Sequence, residues 1–197
     1  ALNYLVPNGE RPFSYQYEPP PGRPLRSGTY EPRVVTIANG RLQPQAELDV
    51  EGFAFVAAPT AIQDFHAQEA LPSAYYPEVE RIVALATGAT RVVAFDHNIR
   101  HGGAKPPPGI REPVTRVHND FTAKSAPERA RRVLGDEAAD RLLRGRFAFV
   151  NLWRPIRGPL VDQPLAVCDA RSVDHGDLIA HDLIYRDRVG ETYAVAY

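Results

Sequence analysis

The order of local signals along this 197-residue sequence predicts an α+β fold whose β part is a sandwich or jelly-roll barrel. Two observations carry that expectation. Helical patterns end by Leu143, and only strand patterns follow Gly145. Ten of the 19 prolines gather at Pro7–Pro32 and at Pro106–Pro108, so the first 32 residues read as an extended proline-rich arm and the second cluster as a mobile loop between strands.

The elements follow in order. Val34–Ile37 and Gly52–Val56 are short apolar runs with strand composition. Ala61–Ala70 reads as a helix. So does Pro77–Ala86, where Val79, Ile82, Val83 and Leu85 form an apolar stripe and Gly88 marks the stop. Arg91–Ile99 and Val114–Phe121 are strand patterns. Ser125 and Glu128 have capping-box spacing and open a helix pair over Pro127–Leu143, broken near Gly135. Phe147–Trp153, Leu165–Ala170, Asp177–Tyr185 and Thr192–Tyr197 complete the strands.

Composition narrows the function. With 23 basic and 24 acidic residues the net charge is −1, which lacks the basic excess of a nucleic-acid binder. No apolar run approaches the roughly 18 residues a membrane span needs, and the default location is cytoplasmic. The single cysteine, Cys168, excludes an internal disulfide and a multi-Cys zinc site; within its strand it reads as a buried, inert thiol. Only Lys105 and Lys124 are lysines, and neither has an apolar setting suited to Schiff-base chemistry. The sequence has no Met and ends in an alternating pattern, so both ends read as cut.

The chemistry concentrates in Arg116-Val117-His118-Asn119-Asp120-Phe121. On a strand, residues two apart share a face, so the His118 imidazole and the Asp120 carboxylate can reach one metal ion. Together with a distant His, such a pair is the facial triad of non-haem Fe(II) oxygenases. The spacing alone also fits a strand end whose His and Asp make turn hydrogen bonds.

A longer set of motifs surrounds this pair. Arg91–Arg100 with Asp96-His97-Asn98-Ile99-Arg100, then Val117–Thr122, Asn151-Leu152-Trp153-Arg154-Pro155-Ile156, Pro164–Ser172 and Gly190-Glu191-Thr192-Tyr193 follow one another in the order of the CmcJ/NvfI family of oxidoreductases. Pro59–Phe65 and Tyr75-Tyr76-Pro77-Glu78 resemble it too, so the resemblance runs from Val34 to Tyr197. It implies a double-stranded β-helix enzyme that uses Fe(II) and, in most members, 2-oxoglutarate. Such an enzyme oxidises a C–H bond of a small molecule in secondary metabolism by hydroxylation, desaturation or cyclisation. His118 and Asp120 match the family's metal-binding pair. The family's distal His, and its Arg for the far carboxylate of 2-oxoglutarate, lie in a later segment. The expectation is therefore a single oxygenase domain over 1–197 that lacks its C-terminal strands.

Other positions are secondary candidates. His97 and Arg100 match the Asp-His-x-x-Arg stretch and read as lining for a substrate acid, or as a strand-end ion pair with Asp96. On Phe147–Trp153 an amide lies between aromatics on one face, which points Asn151 and Trp153 toward a cosubstrate; Trp153 also suits a core anchor. Arg154 and Arg171 could fork onto a carboxylate. His175 reads as a turn residue. His181, between Ile179 and Leu183 on one strand face, reads as a hydrogen-bonded core His and is the fallback third metal ligand. Two other functions stay open: a cupin-like metal dioxygenase or isomerase without 2-oxoglutarate, and a non-catalytic partner of a biosynthetic enzyme. The expected partner is a small-molecule substrate, and a homodimer stays open.

Overall fold

The computed structural model describes residues 1–42, 46–102 and 109–197. The loop expectation at Pro106–Pro108 lies outside the described residues. The chain divides into two compact units. The first comprises Ala1–Thr36, Val114–Phe149 and Val173–Tyr197; the second comprises Ile37–Pro113 and Val150–Ser172. Helices and mixed sheets make the fold α+β. No helix among the described residues is long and apolar enough to cross a membrane.

Among the described residues, the paired strands β1 to β6 all lie in the first unit. β1 (Leu2–Val6) runs antiparallel to β3 (Thr29–Arg33). A four-stranded sheet has the order β2-β5-β6-β4, with β2 at Phe13–Tyr15, β4 at His118–Asn119, β5 at Leu178–Ile184 and β6 at Val189–Val195. β2 and β5 are parallel, while β5–β6 and β6–β4 are antiparallel. The β5–β6 ladder is seven pairs long, from Leu178↔Val195 to Ile184↔Val189. Both strands had alternating sequences, and each has a neighbour to accept its amides. Residues 1–33 thus contain three strands, with Leu5 buried.

Helices α3 (Ser125–Leu134) and α4 (Asp136–Leu142) also belong to the first unit and match the expected pair. Gly135, at φ 78° and ψ 155°, breaks them with a conformation that penalises a Cβ. Ala130 and Ala139 are buried on facing sides of this hairpin. The start of α3 differs from expectation. Thr122 Oγ1 accepts from the Ser125 N–H at 3.0 Å, and Ser125 Oγ accepts from the Thr122 N–H at 2.9 Å. The reciprocal box therefore uses Thr122 and Ser125, three residues upstream of the predicted one, because Ser125 is already helical.

The second unit is built on α1 (Leu71–Ala74) and α2 (Tyr76–Thr87). α2 buries Ile82 and Val83 from the predicted stripe and ends at Gly88 in the left-handed region, φ 67°. Its core joins Phe65, Leu71, Tyr75, Ile99 and Ile110, with Ile62, Val79 and Leu152 packed around them. The helix expected at Ala61–Ala70 is replaced by a short 3₁₀ turn at Gln68–Ala70. Thr60 Oγ1 accepts from the Ile62 N–H, and Asp64 Oδ1 from the His66 N–H. These local caps compete with helical hydrogen bonds.

Five expected strands do not form. Val34–Ile37 follows β3 without pairing, and Gly52–Val56, Arg91–Ile99, Phe147–Trp153 and Leu165–Ala170 join no ladder. Val114–Phe121 shrinks to β4. These runs keep strand composition, but among the described residues they make at most single backbone hydrogen bonds, Ile99 to Arg111 and Ala170 to Glu51, and a strand is defined by a continuous ladder. As a result Cys168 is exposed rather than buried, with Sγ 3.3 Å from Ser172 Oγ.

Candidate metal centre

The backbone that carries His118 is held from both sides. The Asn3 N–H donates to the Thr115 carbonyl at 3.2 Å, and the Val117 N–H donates to the Asn3 carbonyl at 3.0 Å. On the other side His118 pairs with Ala194 and Asn119 with Tyr193. The Thr192 hydroxyl donates to the Asn119 carbonyl. Three residues past the ladder, Thr122 caps α3 and its hydroxyl also donates to Glu191 on β6. Glu191 is further gripped by Arg11, which donates to Asp182 at 2.8 Å. Burial raises the Glu191 pKa, but hydrogen bonds from Thr122 and Arg11 outweigh it and hold the carboxyl below its ordinary value. Asp120 therefore lies on a short span with both ends anchored.

The His118 ring is oriented by its own strand. Nδ1 donates to the Arg116 carbonyl at 2.8 Å, which sets the tautomer and makes Nε2 the nitrogen that would meet a metal. Nε2 lies 3.4 Å from Asp120 Oδ1, and both side chains are part-exposed. Imidazole and carboxylate bonds to a divalent metal are about 2.1 Å each, so two donor atoms this far apart can touch one ion. The donor set, one neutral nitrogen and one anionic oxygen, fits Fe(II). Among the described residues no group of three His, Cys, Asp or Glu side chains is placed to hold a metal.

His181 is buried on β5. Its Nε2 shares a hydrogen bond with Ser14 Oγ at 2.9 Å, and its Nδ1 lies 3.4 Å from the Tyr30 hydroxyl. Both ring nitrogens are thus engaged by hydroxyls. Burial first, and then the positive charge of Arg116, pushes its pKa below the ordinary 6.5, so the ring is neutral in the fold.

The remaining candidates lie in the second unit. His97 Nδ1 shares a hydrogen bond of 2.9 Å with the Tyr76 hydroxyl, and the two rings meet edge to face at 5.8 Å. Asp96 accepts from the His97 backbone N–H. Arg100 donates to the Glu112 carbonyl at 2.8 Å. Arg154 donates to Tyr75 at 3.0 Å and to Glu78 at 3.1 Å, in a pair that is largely buried. Its charge is already matched, which sequence spacing could not reveal. Trp153 is 42% exposed and Asn151 is exposed. Arg171 pairs with Asp169 and Glu51. His175 sits in a 3₁₀ turn capped by Asp174, as its turn composition suggests.

A family model described as "Oxidoreductase/YMDC permease-like domain" matches residues 2–197. The Fe(II)/2-oxoglutarate-dependent dioxygenase nvfI of Aspergillus novofumigatus is 33% identical over 171 residues, covering 83% of this chain and 60% of that protein. The hydroxylase/desaturase CTB9 of Cercospora beticola is 33% identical over 189 residues, covering 84% of this chain and 58% of the relative. The chain thus spans about 60% of the length of these curated relatives. Among solved structures, that of the iron and alpha-ketoglutarate-dependent endoperoxidase NvfI matches all of this chain and 74% of its own, with a TM-score of 0.86 and 25% identity. A match over nearly every residue, joined to the ordered motifs, means that the chain belongs to this oxidoreductase family, whose relatives here include an Fe(II)/2-oxoglutarate-dependent dioxygenase and a hydroxylase/desaturase.

Proposed function

We propose that this chain binds Fe(II) through His118 and Asp120 and, with 2-oxoglutarate and O2, oxidises a C–H bond of a small molecule in secondary metabolism. The observation that carries this reading is the 3.4 Å approach of His118 Nε2 to Asp120 Oδ1, with Nδ1 committed to a backbone carbonyl. Fe(II) held there supplies O2 activation coupled to oxidative decarboxylation of 2-oxoglutarate. The protein's own contribution is to fix the tautomer of His118, hold Asp120 on an anchored span, and orient the substrate.

The relatives' names support the cofactor pair. The β2-β5-β6-β4 sheet is proposed as one wall of a double-stranded β-helix within a single oxygenase domain, with residues 1–32 as its proline-rich arm. In the second unit, Asn151, Trp153 and Arg154 are proposed cosubstrate contacts, Arg154 sharing its charge with Glu78. His97 and Arg100 are proposed to hold a substrate acid. Anaerobic titration tests the reading. Fe(II) binding that weakens tenfold or more in His118→Ala, followed by a weak visible charge-transfer band on adding 2-oxoglutarate, supports it. Equal Fe(II) retention by wild type and His118→Ala overturns it. Fe(II) binding without the band favours the metal enzyme that does without 2-oxoglutarate.

A further inference from the structure

A cavity of about 140 Å³ lies in the first unit beside His118. Ser14, Tyr30, Arg116, His118, His181 and Thr192 line it. The sheet register explains the grouping. His118 pairs with Ala194 and His181 pairs with Thr192. Thr192 and Ala194 are two apart on β6, so all four side chains share a face. Arg116 is two residues before His118 and projects to the same side of its strand.

Arg116 is the unusual member. Arg116 is part-buried, and its guanidinium lies 4.2 Å over the Tyr30 ring. Among the described residues it forms no ion pair with a carboxylate, whereas Arg11, Arg154 and Arg171 each have one. The aromatic ring holds the planar fork in place but leaves its charge unmatched. The polar side chains that line the cavity with it are the hydroxyls of Ser14, Tyr30, Thr192 and Tyr193 and the imidazoles of His118 and His181, none of which is an anion. A part-buried cation without an anion, at the edge of a polar cavity, calls for an anionic ligand.

We infer that Arg116 anchors the carboxylate of a small organic acid in the cavity beside His118. The small cavity suits a compact acid. The guanidinium takes the carboxylate bidentately, and Ser14, Tyr30 and Thr192 offer hydroxyls to the rest of the molecule. The inference deepens the proposed function by naming a ligand group beside the proposed metal ligand, but its test needs no metal.

Calorimetric titration of the full chain, stripped of metal on a chelating resin, tests it with three probes: 2-oxoglutarate, glutarate and benzoate. At least one is expected to bind, more weakly as salt rises. Affinity should fall tenfold or more in Arg116→Gln and in part be kept by Arg116→Lys. All three substitutions below keep the residue-116 or residue-30 backbone, so the clamp on His118 Nδ1 survives; circular dichroism and melting verify folding. Should Arg116→Gln fail to fold, Arg116→Lys and Tyr30→Phe carry the comparison, with a smaller loss expected in each. Binding of both dicarboxylates assigns the anchor to a dicarboxylic cosubstrate, and binding of benzoate alone assigns it to an acidic substrate. Failure of all three probes to bind the wild type, or undiminished binding by the folded variants, overturns the inference. Mn(II) titration of the same samples reports on His118 and Asp120 separately, so loss of the metal reading and loss of the anion anchor are told apart.

Discussion

The two compact units handle similar sequence in opposite ways. In the first, the alternating runs of β5 and β6 lie in a seven-pair ladder. In the second, Arg91–Ile99 and Leu165–Ala170 are also largely apolar runs but among the described residues join no ladder, Ile99 and Ala170 making single backbone hydrogen bonds to Arg111 and Glu51, and Val93, Phe95, Leu165 and Val167 stay exposed. The second unit relies instead on helix α2 and one side-chain cluster around Phe65, Leu71 and Tyr75. The contrast teaches that alternation encodes a face, whereas a strand also needs an edge to join. The candidate metal pair lies where both conditions are met.

Hydrogen exchange should break this comparison open most widely. Amides of Ala180–Leu183 should exchange at least about a hundredfold more slowly than those of Val92–Phe95, since ladder amides open only with their unit. Equal rates would erase the distinction. A core truncation comes next. Leu71→Ala should destabilise the protein by about 3 kcal/mol in denaturant titration, because it leaves a cavity in the one cluster that organises the second unit. A much smaller loss would mean that the cluster is not what holds that unit together.

A smaller effect is expected where the first unit ties helix to sheet. Thr122→Ala should cost about 1 kcal/mol, since it removes the α3 cap and the hydroxyl donor to Glu191 together. Serine at this position should restore most of it. Smallest is a pH effect. The folded His181 has a depressed pKa, so the unfolded chain binds the extra proton more readily. Stability from this site is therefore complete above the ordinary value of 6.5 and is lost as pH falls from there toward the folded pKa. The melting temperature should drop across that window, and His181→Gln should flatten the drop. An unchanged slope would count against a neutral, buried ring.

Much of the site was legible beforehand because it is local. Two residues apart on a strand is enough to set His118 and Asp120 side by side, and β4 delivers that even though it is only two residues long. α2 and the α3–α4 pair were equally legible, since helical hydrogen bonds close within one segment. What escaped depends on distant pairing. The sequence spacing of Arg116, Tyr30 and His181 says nothing about their meeting, because the β5–β6–β4 register places His181 near His118 while the Asn3–Arg116 bridge and the β1–β3 register bring in Arg116 and Tyr30. Only Arg116's place two residues before His118 could have signalled it. Arg154 looked available for a carboxylate until Glu78, 76 residues away, was seen to hold it. The capping box slipped by three residues because Thr122 and Ser125 satisfy each other as well as the predicted pair would.

The anchored span around Asp120 has a consequence for how this protein can vary in length. The ladder fixes Asn119, and the α3 cap with its link to β6 fixes Thr122, so two residues bridge the anchors. One inserted residue there would turn the carboxylate to the other face or tear the cap from the sheet. Loops with no such double attachment can grow or shrink freely. Natural insertions and engineered fusions should therefore be excluded from positions 119–122, and the spacing there, more than the identity of Asn119 or Phe121, is the quantity under constraint.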